Sequence, residues 1–418
     1  MRVPRFFKLT RRGHYSLMLV TTNNVQFAGV PHPWQRLKDW GLRRVVPPDF
    51  YQDTELERDF AADRYLPQNN FSHLDFDYNQ DVRASVTAHI EKVSQSREEL
   101  LTLSQRALPV LAQSYDNVEN PMYSEKDVEA FAQSVQNGDL PRNTSLLKQM
   151  LVDCQMEALR DFANHACTAE QATVAPLGAA FELYERMTGI QHDMASFAVD
   201  ESKHGEMFKI YLTQTLGHKR EPAPETLARL KFMTTAAKHR GVVTNTIDKI
   251  YPGKEVGVFT EALLFSALSI EIIGSAVFEF FAEHSPDPLF SKMLSDIQTK
   301  DEYRHMRLCQ TIYNRLYRTD GPGKQYSSGL ASHLNKTSEK LRNDITMRLI
   351  AREIFGEYAK AEYPIAKACL AFGKDPAELF DTIAETFIRE MAVIGYHPDP
   401  KILKSAWQAE RNLKNETE

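Results

Sequence analysis

"DESKH" at residues 200–204 and "DEYRH" at residues 301–305 share one frame, Asp-Glu-x-basic-His, and lie 101 residues apart. Residues three apart on a helix lie on the same face, about 5–6 Å from each other. Each copy can therefore offer a carboxylate and an imidazole to one metal ion. A single copy is typical of an exposed helix face. Two copies raise the question of what else recurs at the same offset.

A further pair of glutamates recurs at that offset. Glu170 and Glu271 each lie 31 residues before the glutamate of a motif, and each lies in an apolar stretch. If the chain turns midway, two antiparallel helices bring both side chains to the same height. "HSPDP" (284–288) is midway in the second case, and the region just before "MTGI" (187–190) is midway in the first. The sequence therefore predicts two helical hairpins, each contributing one isolated Glu and one Glu-x-x-His.

The two hairpins together supply four carboxylates and two imidazoles. Such an oxygen-rich set suits two iron or manganese ions, whereas zinc prefers fewer ligands with more nitrogen or sulfur. A coincidental spacing would leave Glu170 and Glu271 buried and unpaired, which is energetically costly. The predicted metal ligands are Glu170, Glu201, His204, Glu271, Glu302 and His305.

Over about residues 145–317 the chain resembles the ferritin-like di-iron carboxylate superfamily, in the branch of bacterial multicomponent monooxygenase hydroxylases and ribonucleotide reductase small subunits. Both motifs look like the Asp-Glu-x-Arg-His signature of that branch, with Lys203 where one copy usually has Arg. The resemblance implies an all-α, ferritin-like four-helix bundle with a di-metal core and additional flanking helices. It also implies that Asp200 and Asp301 accept hydrogen bonds that orient the imidazoles across the site.

Three positions separate the chemistries of that branch. Phe208 stands four residues after the first motif histidine, where ribonucleotide reductase small subunits carry a radical tyrosine. Gln298 stands where arylamine N-oxygenases, which have a similar pattern, carry an extra histidine. Ser275, four residues after Glu271, stands where the hydroxylases have a threonine that lines the oxygen pocket, although a helix serine can equally bond back to a carbonyl.

The resemblance therefore implies a di-iron oxygenase or oxidase, with manganese possible at one or both sites. O₂ is the expected co-substrate, the expected reaction is hydroxylation or desaturation of an unactivated C–H bond in a small organic molecule, and Ser275 is a candidate catalytic residue. Three alternatives stay open. A radical-generating small subunit needs a redox-active tyrosine, for which Tyr211 and Tyr303 are candidates; a ferritin-like protein binds iron without an organic substrate; and a helical interaction protein binds no iron.

Composition limits the remaining classes. The 418 residues are 25% charged and 42% hydrophobic, which is ordinary for a globular protein, and the net charge of −6 gives no general case for nucleic acid binding. The four scattered cysteines indicate neither a disulfide framework nor a zinc site, so we expect a cytoplasmic protein. The sequence has no Gly-rich dinucleotide fingerprint and no cysteine cluster. We therefore expect an external electron donor, a reductase or ferredoxin. We also expect a homodimer.

The sequence divides into four parts. Residues 1–85 are predicted to be irregular and to form a basic extension, without an acid from Met1 to Lys38, that packs on the core or docks a partner. Flanking helices are predicted at 86–143, the metal-binding bundle at 144–317, and C-terminal helices that complete the domain at 328–418, after the linker "RTDGPGKQYSSG" (318–329). The individual helices are predicted at about 86–115, 124–137, 144–187, 190–216, 224–240, 257–284, 287–317, 328–372 and 376–393, with a short one after 400.

The longest apolar run, residues 256–284, is long enough to cross a membrane. Glu261, Glu271 and Glu279 interrupt it, and a carboxylate in the middle of a bilayer is costly. The run therefore predicts a buried central helix of a soluble bundle rather than a membrane span.

Overall fold

The computed structural model describes residues 76–114, 123–183, 188–219, 255–318 and 364–401. These residues form helices and no strand, so the prediction of an all-α protein is confirmed for them. The predicted basic arm, the helix at 224–240, the linker, most of the helix at 328–372 and the segment after 401 lie outside the described residues.

Ten α-helices and two π-helical turns make up the described residues. The π-helical turns are Tyr211–Thr215, which follows the helix that ends at Ile210, and Gln298–Glu302, which joins the helix that ends at Ile297 to the helix that begins at Tyr303. The α-helices are α1 (Val82–Val93), α2 (Arg97–Ser114), α3 (Glu125–Gln136), α4 (Thr144–Leu183), α5 (Thr188–Ile210), α6 (Glu255–His284), α7 (Pro288–Ile297), α8 (Tyr303–Leu316), α9 (Pro364–Ala371) and α10 (Pro376–Ala392).

The first predicted boundary is wrong in two respects. Helix α1 already begins at Val82, inside the segment predicted to be irregular, where Asp81 accepts a hydrogen bond from the Ala84 backbone N–H. The predicted single helix at 86–115 is two helices, because the chain turns at residues 94–96. Ser94 hydrogen-bonds the Glu91 carbonyl, and Ser96 accepts from the Glu99 backbone N–H. Serine side chains that bond local backbone groups compete with helix continuation.

Helices α4 and α5 form an antiparallel hairpin. The Cys167 thiol lies 3.3 Å from the Gly205 carbonyl oxygen, and Glu170 lies 3.3 Å from His204. The later residue of α4 therefore contacts the earlier residue of α5, so the two helices run in opposite directions. Helix α4 ends at Leu183 and helix α5 begins at Thr188. The predicted turn, just before residues 187–190, lies outside the described residues.

Helix α6 and the continuous α7–α8 segment form a second antiparallel hairpin. Glu271 pairs with His305, while Glu261, ten residues earlier, accepts a hydrogen bond from Tyr313 at 2.6 Å. The turn lies in the predicted "HSPDP" segment. There Asp287 caps α7 by accepting from the Phe290 backbone N–H, and the proline at the first helical position needs no backbone donor.

The hairpins pack against each other through α4 on α6 and α5 on α8. One end of the interface is filled by phenylalanines. Phe162 of α4 packs on Phe281 of α6 with ring centroids 4.6 Å apart, and Phe208 of α5 packs on Phe278 at 5.8 Å. Outside this core, α1, α2 and α9 cover α4, and α10 covers α6.

Residues Leu264–His284 of α6 are long and apolar enough to cross a membrane by length and composition, with a mean hydropathy of 1.7, but 72% of this stretch is buried inside the protein. The core helix of a soluble protein meets the same criterion.

Gly205, which directly follows the first motif, allows α4 and α5 to approach each other closely. A Cβ at this position would lie 2.8 Å from Cγ of Gln171 and 3.6 Å from the Cys167 carbonyl oxygen. A contact of 2.8 Å is shorter than side chains tolerate, so the Gln171 side chain or the neighbouring backbone would have to shift.

We expect Gly205→Ala to lower the free energy of unfolding of the metal-free protein by about 1–3 kcal/mol, the usual cost of overpacking. Denaturant unfolding monitored by circular dichroism measures the change. Gly274→Ala on α6 is the matched control, because its Cβ would meet only ordinary contact distances among the described residues. Equal stability of the two variants would show that Gly205 is not needed for close packing.

Candidate metal centre

The six predicted ligand residues lie together in the core. Among the described residues, two groups of potential ligand atoms each fit within 4.8 Å. The groups overlap, because both contain Glu201 and Glu302. The first adds Glu170 and His204, and the second adds Glu271 and His305.

The Nδ1 atoms of both imidazoles point toward carboxylate oxygens. Nδ1 of His204 lies 3.3 Å from Oε2 of Glu170 and 3.5 Å from Oε1 of Glu302. Nδ1 of His305 lies 3.1 Å from Oε2 of Glu271 and 3.2 Å from Oε1 of Glu201. Both histidines are fully buried, so these contacts lie in a region of low dielectric constant.

The other ring nitrogens form crossed hydrogen bonds between the hairpins. Nε2 of His204 on α5 donates to Asp301 at 3.1 Å, and Nε2 of His305 on α8 donates to Asp200 at 3.4 Å. Each aspartate of one motif therefore orients the histidine of the other, which is the arrangement that the resemblance implies. Such partners fix the tautomer and the ring orientation of a metal-binding histidine.

Arg304 links the two aspartates. Its guanidinium donates to Asp200 and, at 3.1 Å, to Asp301, and it lies 3.3 Å from the Ser196 hydroxyl. Lys203 donates to the other oxygen of Asp200 at 2.6 Å. Burial alone would raise the pKa of Asp200, but His305, Arg304 and Lys203 outweigh it and hold that pKa below its usual range. Asp200 can therefore stay ionised although it is buried.

The second motif is presented by a π-helical turn. In this turn, which contains Asp301 and Glu302, the Tyr303 backbone N–H donates to the Gln298 carbonyl five residues earlier. A π-helical turn shifts the direction of the side chains that follow, and such turns are frequent at functional sites. The first motif lies in a regular α-helix, so the repeat is equal in sequence but not in backbone geometry.

The carboxylates of the cluster disturb one another's protonation. Burial raises the pKa of Glu170 and of Glu271 well above the usual range, and the negative charges of neighbouring Glu201 and Glu302 raise it further. Burial and the charge of Glu201 raise the pKa of Glu302 to about 7. For Glu201 the adjacent His305 imidazole outweighs burial and lowers the pKa. Four carboxylates in one buried place need either protons or cations to coexist.

The pKa of each imidazole is also raised, which favours its charged form. Burial opposes the charged form of both rings, but hydrogen bonds to Asp301 and Glu170 raise the pKa of His204 well above its usual range. Asp200 and Glu201 have the same effect on the pKa of His305. Without a cation, the cluster therefore holds protons on the imidazoles, and a metal ion would replace them.

Two further residues of the cluster are not predicted by the sequence. The Thr173 hydroxyl lies 3.0 Å from Oε2 of Glu201, and the Phe197 ring stacks on His305 with centroids 4.0 Å apart. Neither has an equivalent at the 101-residue offset, where Gly274 and Gln298 stand, so the repeat gives no signal for them. Ser275 is buried on α6, and its catalytic role stays a prediction.

The donor set fits two divalent cations. Oε1 of Glu201 is buried and makes no hydrogen bond among the described residues, although it lies 3.2 Å from Nδ1 of His305. Four ionised carboxylates carry a charge that two divalent ions would neutralise. Oxygen donors with one imidazole for each ion are suited to iron or manganese.

Comparisons with protein-family models, with curated proteins and with solved structures found no match for this chain.

We expect Asp200→Asn and Asp301→Asn each to keep the helical fold and to weaken metal binding by about ten- to a hundredfold, the usual penalty for losing a partner of a metal-bound histidine. Competition with a chromophoric chelator measures the affinity. Asp296→Asn is the matched control, because Asp296 pairs with Lys300 on the bundle surface. Wild-type affinity in both site variants would mean that the crossed hydrogen bonds do not support the metal ligands.

Proposed function

We propose that this protein is a ferritin-like, non-haem di-iron oxygenase or oxidase that uses O₂ to hydroxylate or desaturate an unactivated C–H bond of a small organic substrate. Manganese at one or both positions is compatible with the same ligands.

One observation carries the proposal. The two ligand groups overlap in Glu201 and Glu302, so these two glutamates would belong to both metal positions. Glu170 with His204 and Glu271 with His305 then complete the two positions separately. Two adjacent ions that share carboxylates are the arrangement of di-metal helical bundles. Buried carboxylates that served only the fold would require a partner for each charge.

Two iron ions bound at these residues would supply the redox chemistry that reduces O₂ and oxidises the substrate. The residues of the chain would hold the ions and orient their ligands. Asp200 and Asp301 fix the imidazoles, and Arg304 forms ion pairs with both aspartates. Leu268 and Ile272, which lie within one turn of Glu271 on α6, are buried, so apolar side chains flank this glutamate along the helix.

Monooxygenation needs two electrons from outside for each turnover, because one oxygen atom is reduced to water. The sequence contains no flavin or nicotinamide fingerprint, so we assign the electrons to a separate reductase or ferredoxin.

A second candidate function, a radical-generating subunit, is favoured by one contact. The Tyr211 hydroxyl donates to Asp287 at 2.7 Å, and both residues are buried. Oxidation of a tyrosine releases its proton, and a hydrogen-bonded carboxylate can accept it. Tyr303, the other tyrosine considered, is 49% exposed and lies beneath the Arg307 guanidinium, so it lacks the protection that a long-lived radical needs.

We expect the iron-loaded protein to contain two ions per chain and Glu271→Ala to lose one ion and all turnover, because a ligand specific to one position is removed. Metal analysis by mass spectrometry counts the ions. Glu279→Ala, an exposed glutamate of the same helix, should retain both. Two ions and full activity in Glu271→Ala would refute the ligand assignment.

The two candidate functions differ in whether reaction with O₂ produces a long-lived organic radical. We expect the chemically reduced protein to consume O₂ in a reductant-dependent manner, faster in the presence of a substrate, without a persistent organic radical. Oxygen uptake and electron spin resonance measure the two quantities. A stoichiometric, long-lived tyrosyl signal that disappears in Tyr211→Phe would overturn the oxygenase proposal and support the second candidate.

A further inference from the structure

The two halves of the candidate centre differ at the position one turn after the first glutamate. The 101-residue offset aligns Glu170 with Glu271, and three residues later it aligns Thr173 with Gly274. One helix therefore presents a hydroxyl and a methyl group at the place where the other presents no side chain.

Thr173 contacts one of the two shared glutamates. Its hydroxyl lies 3.0 Å from Oε2 of Glu201 and 2.7 Å from the Glu170 carbonyl oxygen. A hydroxyl has one proton to donate, and an ionised carboxylate is a stronger acceptor than a carbonyl. The bond to Glu201 therefore holds this carboxylate in a fixed orientation, with its other oxygen directed at the imidazoles.

Gly274 leaves space beside the other shared glutamate. Among the described residues, a Cβ on Gly274 would meet one atom within 4 Å, Oε2 of Glu302 at 3.8 Å. A glycine inside a helix costs about 0.5–1 kcal/mol relative to alanine. At Gly205 this cost has a packing reason, since a Cβ would clash with Gln171 at 2.8 Å. No described residue gives such a reason at Gly274.

We propose that the pair Thr173 and Gly274 makes the two shared carboxylates unequal. Thr173 is a positioning residue that fixes Glu201, and the space over Gly274, beside Glu302, is where a molecule as small as O₂ or azide approaches the ions. The inference rests on the proposed function, because it needs bound metal. It adds a direction of approach: the small ligand reaches the ions beside Gly274 of α6, because Thr173 occupies the equivalent position on α4.

The position of Glu302 supports this division. Its Oε1 lies 3.5 Å from Nδ1 of His204, so that this oxygen faces the interior of the cluster, while Oε2 faces Gly274. A ligand over Gly274 would therefore contact the carboxylate on its outer side and would not need to displace a histidine.

The test uses the full chain loaded with ferric iron. Thr173→Val removes the hydroxyl at nearly constant volume, and Thr173→Ser keeps it. Gly274→Ala and the larger Gly274→Val fill the space in two steps. Metal content and chelator competition measure the ions, and an absorption titration with sodium azide measures small-ligand binding without any turnover.

We expect Thr173→Val to bind iron about tenfold more weakly than the wild type, and Thr173→Ser to restore the affinity. Gly274→Ala should keep two ions per chain but raise the Kd of azide by about tenfold, equivalent to about 1.4 kcal/mol, and Gly274→Val should raise it further.

The outcomes separate this inference from the proposed function. A wild-type protein that holds fewer than two ions overturns both. If two ions bind but Thr173→Val matches the wild type, Thr173 does not position Glu201. If two ions bind but azide does not, or if azide binds both Gly274 variants as tightly as the wild type, the ligand position over Gly274 is wrong.

Discussion

The burial of four carboxylates at one place is the constraint on which the rest of this structure depends. Each of Glu170, Glu201, Glu271 and Glu302 is at most 7% exposed, and like charges at this separation repel strongly in a low dielectric. The surrounding residues reduce that cost by supplying imidazoles at hydrogen-bonding distance and aspartates behind the imidazoles. Arg304 then compensates the aspartates. Glutamates, imidazoles, aspartates and Arg304 thus follow one another outward from the centre with alternating charge. Removing one of these sets leaves the next set without its partner.

The sequence predicts which residues lie together in the core because a repeat is a strong constraint. The offset of 101 relates Glu170 to Glu271 and the two motifs to each other, and the 31-residue step predicts where both hairpins turn. The contacts that break the repeat could not be predicted in this way. Thr173 and Phe197 reach the cluster through side-chain packing across helices, which periodicity does not encode. The π-helical turn at Gln298–Glu302 could not be predicted either, because its composition is that of an ordinary helix.

Local chemistry explains the remaining difference between prediction and structure. Residues 86–115 have an apolar period that continues through Ser94–Ser96, so the pattern predicts one helix. The serine side chains bond nearby backbone groups and end it. Helix boundaries thus depend on one or two capping side chains, whereas helix existence depends on many residues.

The crossed bonds between histidines and aspartates also order the assembly of the core. His204 and His305 meet Glu170 and Glu271 across 34 residues of chain, but they meet Asp301 and Asp200 across 97 and 105 residues. Closing the longer loops costs about 0.9 kcal/mol more in chain entropy. Contacts within each hairpin therefore form at lower entropic cost than contacts between hairpins. Each hairpin can assemble with half of the ligands in place, and the docking of the two halves is the step that completes the centre.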